Sequence, residues 1–204
     1  MKKIGILFIA FILFSLSLSV FQSCCNPDPI NFRLESLHSE AKRIMGITVS
    51  GSQNIADFVV ETYIPDEKGI RYDSLGIDVS NELIIAFNKQ LWNNNLGFSS
   101  AYACSPAENY DIVFDVIITS SEDYNSAYPK GSNLEEMMQV SNAHLVRGNN
   151  ISVFMINKRL NYHTVFYTFS FPPSENKYHD VTIKYILTDG REYETTVSDI
   201  LITK

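Results

Sequence analysis

The sequence predicts a mainly β fold: a single antiparallel β-sandwich, with an immunoglobulin-like arrangement as one way to connect it, and one or two short helices. Three observations lead there. Runs rich in Val, Ile, Tyr, Phe and Thr recur with turn residues about every ten positions, the spacing of sandwiches and barrels. Within these runs apolar and polar residues alternate, the period of a strand with one buried face. The last run reads as a hairpin: Ile183, Tyr185 and Leu187 alternate up to Thr188, Asp189-Gly190 supplies a two-residue turn with positive φ, and Tyr193, Thr195 and Val197 return in phase.

Taken in order, Asn26-Pro27-Asp28-Pro29 is a turn-forming linker, because its two prolines disfavour helix. Ile30, Phe32 and Leu34 then alternate with Asn31, Arg33 and Glu35 as a half-buried strand. Further strands are expected near Arg43 to Ser50, Asp57 to Ile64, Ile70 to Val79, Leu83 to Phe87 and Ile112 to Ser120. The remaining ones are Ile151 to Asn157, Thr164 to Phe171, Val181 to Thr188 and Glu192 to Thr203. A second hairpin is expected to turn at Gly148-Asn149-Asn150. Helix is scarce. Ser132 and Glu135 form an S-x-x-E capping box ahead of Leu134, Met137, Met138 and Val140, which predicts about two turns. Asn81 to Trp92 is ambiguous between strand and helix.

Ahead of the linker, Lys2 and Lys3 precede an apolar run from Ile4 to Phe14, and small and polar residues lead on to Cys24-Cys25. This is the layout of an export signal, too short in apolar residues to span a bilayer as a helix. Phe21-Gln22-Ser23-Cys24 resembles the lipobox of bacterial lipoproteins, with Phe21 and Gln22 where Leu and a small residue are usual. The resemblance implies cleavage before Cys24 and a triacylated cysteine, its sulfur bearing diacylglycerol and its nitrogen an acyl chain such as palmitate. Several acyl chains anchor stably where a single one binds only marginally. The expected organisation is therefore residues 1–23 as signal peptide, 24–29 as lipidated cysteine and short linker, and 30–204 as the sandwich domain. The expected location is the cell envelope, lipid-anchored at the outer membrane.

Cys24, Cys25 and Cys104 are the three cysteines. With Cys24 acylated, two thiols remain in an oxidising compartment, and a Cys25–Cys104 disulfide is expected, with two unpaired thiols as the alternative. Loss of the signal leaves 14 basic against 23 acidic residues, a net charge of −9. Such a body repels phosphate backbones and anionic headgroups, so nucleic acid is not an expected partner.

No motif announces catalysis, a metal or a cofactor. His38, His144, His163 and His179 lack the spacing that puts two imidazoles on one metal, and no nucleophile elbow or phosphate loop occurs. In Tyr178-His179-Asp180 strand alternation sends acid and base to opposite faces. Asp66-Glu67, Glu122-Asp123 and Glu108 to Asp111 read as solvated turns. Aromatics are enriched at 12% of residues; Val165, Tyr167, Phe169 and Phe171 follow the strand period and read as core. Trp92, followed by three asparagines, is the candidate ligand contact.

Ala103-Cys104-Ser105-Pro106, Ser121 to Tyr124 and Tyr128 through Met137, with Cys24-Cys25 in front, resemble an uncharacterised family of lipoproteins from Gram-negative gut bacteria. That family has no assigned activity, so the resemblance implies compartment alone. Two functional expectations result: a non-enzymatic binding or accessory domain for a glycan or envelope protein, or an envelope hydrolase whose acids meet only in the fold. Facing carboxylates, or an acid touching a histidine, would favour the hydrolase.

Overall fold

The computed structural model describes residues 30–50, 55–86, 108–142, 148–156, 158–160 and 164–204. The chain packs as two units, Met1–Phe32 with Ile85–Asn109, and Arg33–Ile84 with Tyr110–Lys204. Only short strand ends of the first are described; the second holds the buried core.

Strands are β1 (Ile30–Ser50), β2 (Ile55–Thr62), β3 (Ile70–Arg71), β4 (Leu75–Ala86), β5 (Glu108–Tyr110), β6 (Val113–Ser120), β7 (Met138–Asn142), β8 (Asn149–Asn150), β9 (Thr164–Phe169), β10 (Lys177–Leu187) and β11 (Glu192–Thr203). A short helix, α1 (Ile151–Met155), lies between β8 and β9. One sheet runs β2-β1-β4-β9-β7-β8 and the other β3-β11-β10-β6. The expected mainly β, sandwich-like architecture is what the chain adopts.

Alternation places the core. From β4, Leu75, Ile77 and Val79 are buried; from β9, Val165, Tyr167 and Phe169; from β7, Met138 and Val140. The second sheet presents Val116 and Ile118 of β6, Val181, Ile183, Tyr185 and Leu187 of β10, and Ile200 and Ile202 of β11. Burying each such side chain contributes about 1.5–3 kcal/mol. At the centre, the Tyr167 and Tyr185 hydroxyls meet at 2.8 Å, so the two sheets share a hydrogen bond where both phenols are fully buried. Burial pushes both phenol pKa values up, because the phenolate would lose its hydration.

Phe166 points the other way and is nonetheless buried, its ring laid over Gly76 and 5.9 Å from the ring of Phe58. At Gly69 (φ +70°), the Asp66 carboxylate accepts from the Lys68 and Gly69 amides, and a Cβ would meet the Leu201 carbonyl at 2.6 Å. His179 pairs with Ile200 but Val181 with Val197, so β11 bulges by one residue; there Asp199 takes φ +58° and donates its N–H to Asp180 Oδ1.

Several elements differ from expectation. The run from Ile70 to Val79 breaks at a 3-10 turn, Tyr72–Ser74, and β4 then continues through Leu83 to Ala86 as strand. The rest of the ambiguous segment, up to Trp92, lies outside the described residues. Arg43 to Ser50 is the end of one 21-residue strand. The capping box does not form: the Ser132 hydroxyl donates to the Pro129 carbonyl, while Asn133 Oδ1 accepts from Ile118 and Glu135 N–H. Leu134 is hydrogen-bonded to Ile118, so only the 3-10 turn Glu135–Met137 precedes β7, whose Met138 and Val140 follow strand period.

Ile151 to Met155 is helical. Asn150 caps it by accepting from Ser152 N–H at 2.9 Å, and Ile151 and Met155, four apart, are both buried. Asn149 and Asn150 are strand partners of Val140 and Gln139, so they pair in β8 where the sequence predicts a turn. The β10–β11 hairpin turns through three residues: Gly190 N–H bonds Leu187 O, Leu187 N–H bonds Arg191 O, and Gly190 at φ +84° carries the positive φ.

Candidate functional site

Two serine–histidine pairs lie in the described part of the fold, one buried and one exposed. Ser120 continues the inward phase of Val116 and Ile118, and His179 that of Val181 and Ile183, so strand register brings a hydroxyl and an imidazole together inside the core. Ser120 Oγ lies 2.7 Å from His179 Nδ1, and both residues are buried. The Glu122 amide donates to the same Oγ at 3.2 Å. His179 Nε2 is buried without a hydrogen-bond partner, and the ring packs 5.8 Å from that of Tyr124. Burial is the main influence on the imidazole and lowers its pKa, since the charged form would be stripped of water. No carboxylate reaches Nε2, so the acid–base–nucleophile relay of hydrolases has no third member here.

The exposed pair comes from β1 and β4. Ser36 and His38, two apart on β1, lie side by side with Glu82 of β4 beside them. The Ser36 hydroxyl donates to Glu82 Oε2 at 2.7 Å and lies 3.3 Å from His38 Nε2; Glu82 Oε2 is 3.5 Å from the same nitrogen. The Ser36 hydroxyl, then the imidazole, lower the Glu82 pKa. A hydrolytic triad needs the hydroxyl on one imidazole nitrogen and the acid on the other. Here the acid takes the hydroxyl's hydrogen, and both contacts converge on Nε2. The arrangement is a surface ladder of hydrogen-bonded polar side chains. It continues down the same face, where Glu40 accepts from Lys42 Nζ (2.6 Å) and the Thr62 hydroxyl (2.7 Å).

Cys24, Cys25, Cys104 and Trp92, the residues expected to carry lipid, disulfide and ligand contact, lie outside the described residues, as do His144 and His163. Strand alternation in Tyr178-His179-Asp180 holds: Tyr178 is exposed, His179 buried, and the Asp180 carboxylate receives Asp199 N–H. The acidic pairs serve turns and ties. Asp123 Oδ1 accepts from Lys130 N–H. Asp111 accepts from Leu34 N–H and from Arg191, whose guanidinium also binds Asp189 and the Tyr193 hydroxyl. Among the described residues no three His, Cys, Asp or Glu side chains cluster as a metal site.

The sequence signal for Ser120–His179 is one of phase, since both continue apolar alternations; ligand spacing passes over it. Nor does any motif mark a second surface, made by the edge of the first sheet. Met45, Ile47 and Val49 of β1 are 59%, 57% and 65% exposed, Val59 of the paired β2 is 43% exposed, and β2 is the edge of its sheet. From Ile44 to Val60 the one charged residue is Asp57. Comparison with protein-family models, with curated proteins and with solved structures finds no match to this chain.

Proposed function

We propose that the chain is a lipid-anchored protein of the bacterial cell envelope that works by binding a protein partner through the β1–β2 edge. The anchor reading rests on the signal-like residues 1–23 and the lipobox-like approach to Cys24; Cys25 and Cys104 then form a disulfide. The observation that carries the binding reading is the exposed aliphatic row of Ile47 and Val49, with Met45 at the bulge before them, on the edge strand pair β1–β2, whose sequence has no lysine or proline from Ile44 to Val60. Edges are ordinarily protected by such residues when nothing pairs with them. Aliphatic side chains favour a protein over a glycan, which stacks on aromatic faces. Glu61 and Asp66 beside the row are paired with Arg43, so the local charge is balanced, while the net charge of −9 left after residue 23 disfavours an anionic bilayer surface. The hydrolase reading would have to use His38 and Glu82, where the serine is held by the acid instead of the base.

Expression in a Gram-negative host, with intact mass and photo-crosslinking from position 47 in its membranes, tests both halves. Expected are loss of residues 1–23, a triacyl mass on Cys24 that Cys24→Ser abolishes, and one identified protein whose crosslink disappears in the Ile47→Ser/Val49→Ser variant. Residue 24 without acyl chains overturns the anchor. Labelling of lipid alone, or a bound glycan indifferent to the double variant, overturns the protein-binding surface.

A further inference from the structure

The His179 ring, near the start of β10, bonds the end of β6 and packs against Tyr124, which ties the loop following β6 to the segment following β9. Ser120 is the last residue of β6 and bonds the imidazole. Beyond it the chain from Ser121 to Gly131 folds back over this end of the core: Ser121 N–H donates to the Asp180 carbonyl, Asp180 N–H to Ser121 Oγ, and Gly131 N–H to the Ser120 carbonyl. Tyr124 stacks on Phe169 at 5.3 Å, covers His179, and donates its hydroxyl to the Phe171 carbonyl, while Ser174 N–H donates to the Tyr124 carbonyl. The segments 121–131 and 170–176 therefore close over the ring together. Nε2 has no acceptor inside this closure.

We propose that His179 is a pH-operated latch: with a neutral imidazole the loops 121–131 and 170–176 close over the end of the core, and protonation opens them while the two sheets persist. A proton on both ring nitrogens makes both donors. Nδ1 already has Ser120 Oγ, but Nε2–H would be a buried charged donor without an acceptor, which is the costly case. The least disruptive remedy lies at the strand ends, because the loops can part without disturbing the pairs from Val181–Ser120 onward. The charged groups on the segments packed about the ring are Glu122, Asp123 and Lys130 of the first loop, Glu175 of the second, Lys177 and Asp180 of β10, and Asp199 of the β11 bulge; those that act on the ring are Glu122, Lys177 and Asp180. Glu122 and Asp180 favour the imidazolium and Lys177 opposes it. Lys177 is itself paired with Glu175 at 3.1 Å, and the Asp180 carboxylate with Asp199 N–H, so Glu122 is the acid placed to receive the opened ring.

The closed state holds the imidazole below its ordinary value, so closure is at full strength above about pH 6.5 and weakens as pH falls toward the lowered closed-state value. Hydrogen exchange of the full chain, followed by mass spectrometry at pH 7.5 and 5.0 with labelling times scaled to equal intrinsic exchange, tests this. Peptides covering 121–131 and 170–176 are expected to lose protection at the lower pH, and β10–β11 to retain theirs. His179→Gln should remove the pH response, and the surface change Glu122→Gln, which leaves the core untouched, should move its midpoint to lower pH. An unchanged response in His179→Gln, an unmoved midpoint in Glu122→Gln, equal loss of protection across both sheets, or no loss in the unaltered chain would each overturn the latch.

Discussion

Adding a single methyl group at Gly76 isolates one packing contact. The residue is buried in β4 and lacks the positive φ that would by itself require glycine, so alanine suits the backbone. The obstacle is the ring of Phe166: a Cβ would stand 2.9 Å from its Cε1 and nearer still to Cε2 and Cζ. Real Cβ contacts do not come so close, and Phe166 is fully buried, so the ring must leave a position it has no space to leave. Overpacking of a tight core costs about 1–3 kcal/mol, and full loss of a buried phenylalanine about 3–5. Against this, Gly→Ala at a compatible site contributes about 0.4–1 kcal/mol by restricting the unfolded chain. The net expectation for Gly76→Ala is a loss of about 2 kcal/mol, or a fall of several degrees in Tm for a body of this size. Urea unfolding of wild type, Gly76→Ala, Phe166→Leu and the double variant measures it. The midpoint should fall with m unchanged, and the double variant should recover at least part of the loss through coupling of about 1 kcal/mol. A Gly76→Ala protein as stable as wild type, or strictly additive effects, would refute the ring-over-glycine arrangement.

Tyr185→Phe strands the Tyr167 hydroxyl in the sheet interface and is expected to cost about 1–2 kcal/mol in urea, with Tyr167→Phe/Tyr185→Phe less destabilised than the single changes predict by addition. Arg191→Gln removes the tie from the β10–β11 turn to Asp111, the carboxylate that also receives Leu34 N–H; being half-exposed, it should cost only about 1 kcal/mol, and the cost should shrink with added salt. Asn150→Ala removes the cap of α1 and is expected to cost about 1 kcal/mol by the same measurement, with Asn150→Asp close to neutral.

The strands were legible wherever one face is dry. Val181 to Leu187 alternates because β10 is buried on one side along its length; in Val165 to Phe169 the alternation is interrupted at Phe166, which is buried on the other face. The errors fall where local and tertiary demands conflict. Ser132-x-x-Glu135 is a helix start by local chemistry, but Asn133 and Leu134 are claimed by the edge of β6, and the backbone there cannot also begin a helix. Ile151 to Asn157 has strand-forming residues, yet Asn150 and the spacing of Ile151 and Met155 favour one helical turn, a choice that short apolar runs leave open. Asp189-Gly190 correctly marks a turn; its length is decided by the register of Ile186 with Glu192, which a dipeptide does not encode.

By itself, the sequence determined the class of fold, the acidic body and the inward phase of strands such as β10, because these depend on composition and on neighbours along the chain; Phe171, expected in the core, is exposed. Only tertiary structure decided which hydroxyl faces which imidazole. Ser120 and His179 stand 59 residues apart, and Ser36 and Glu82 stand 46 apart, so each meeting is a product of strand register. Register is set by how two sheets fit together, and a one-residue slip would have turned each of these side chains to the opposite face.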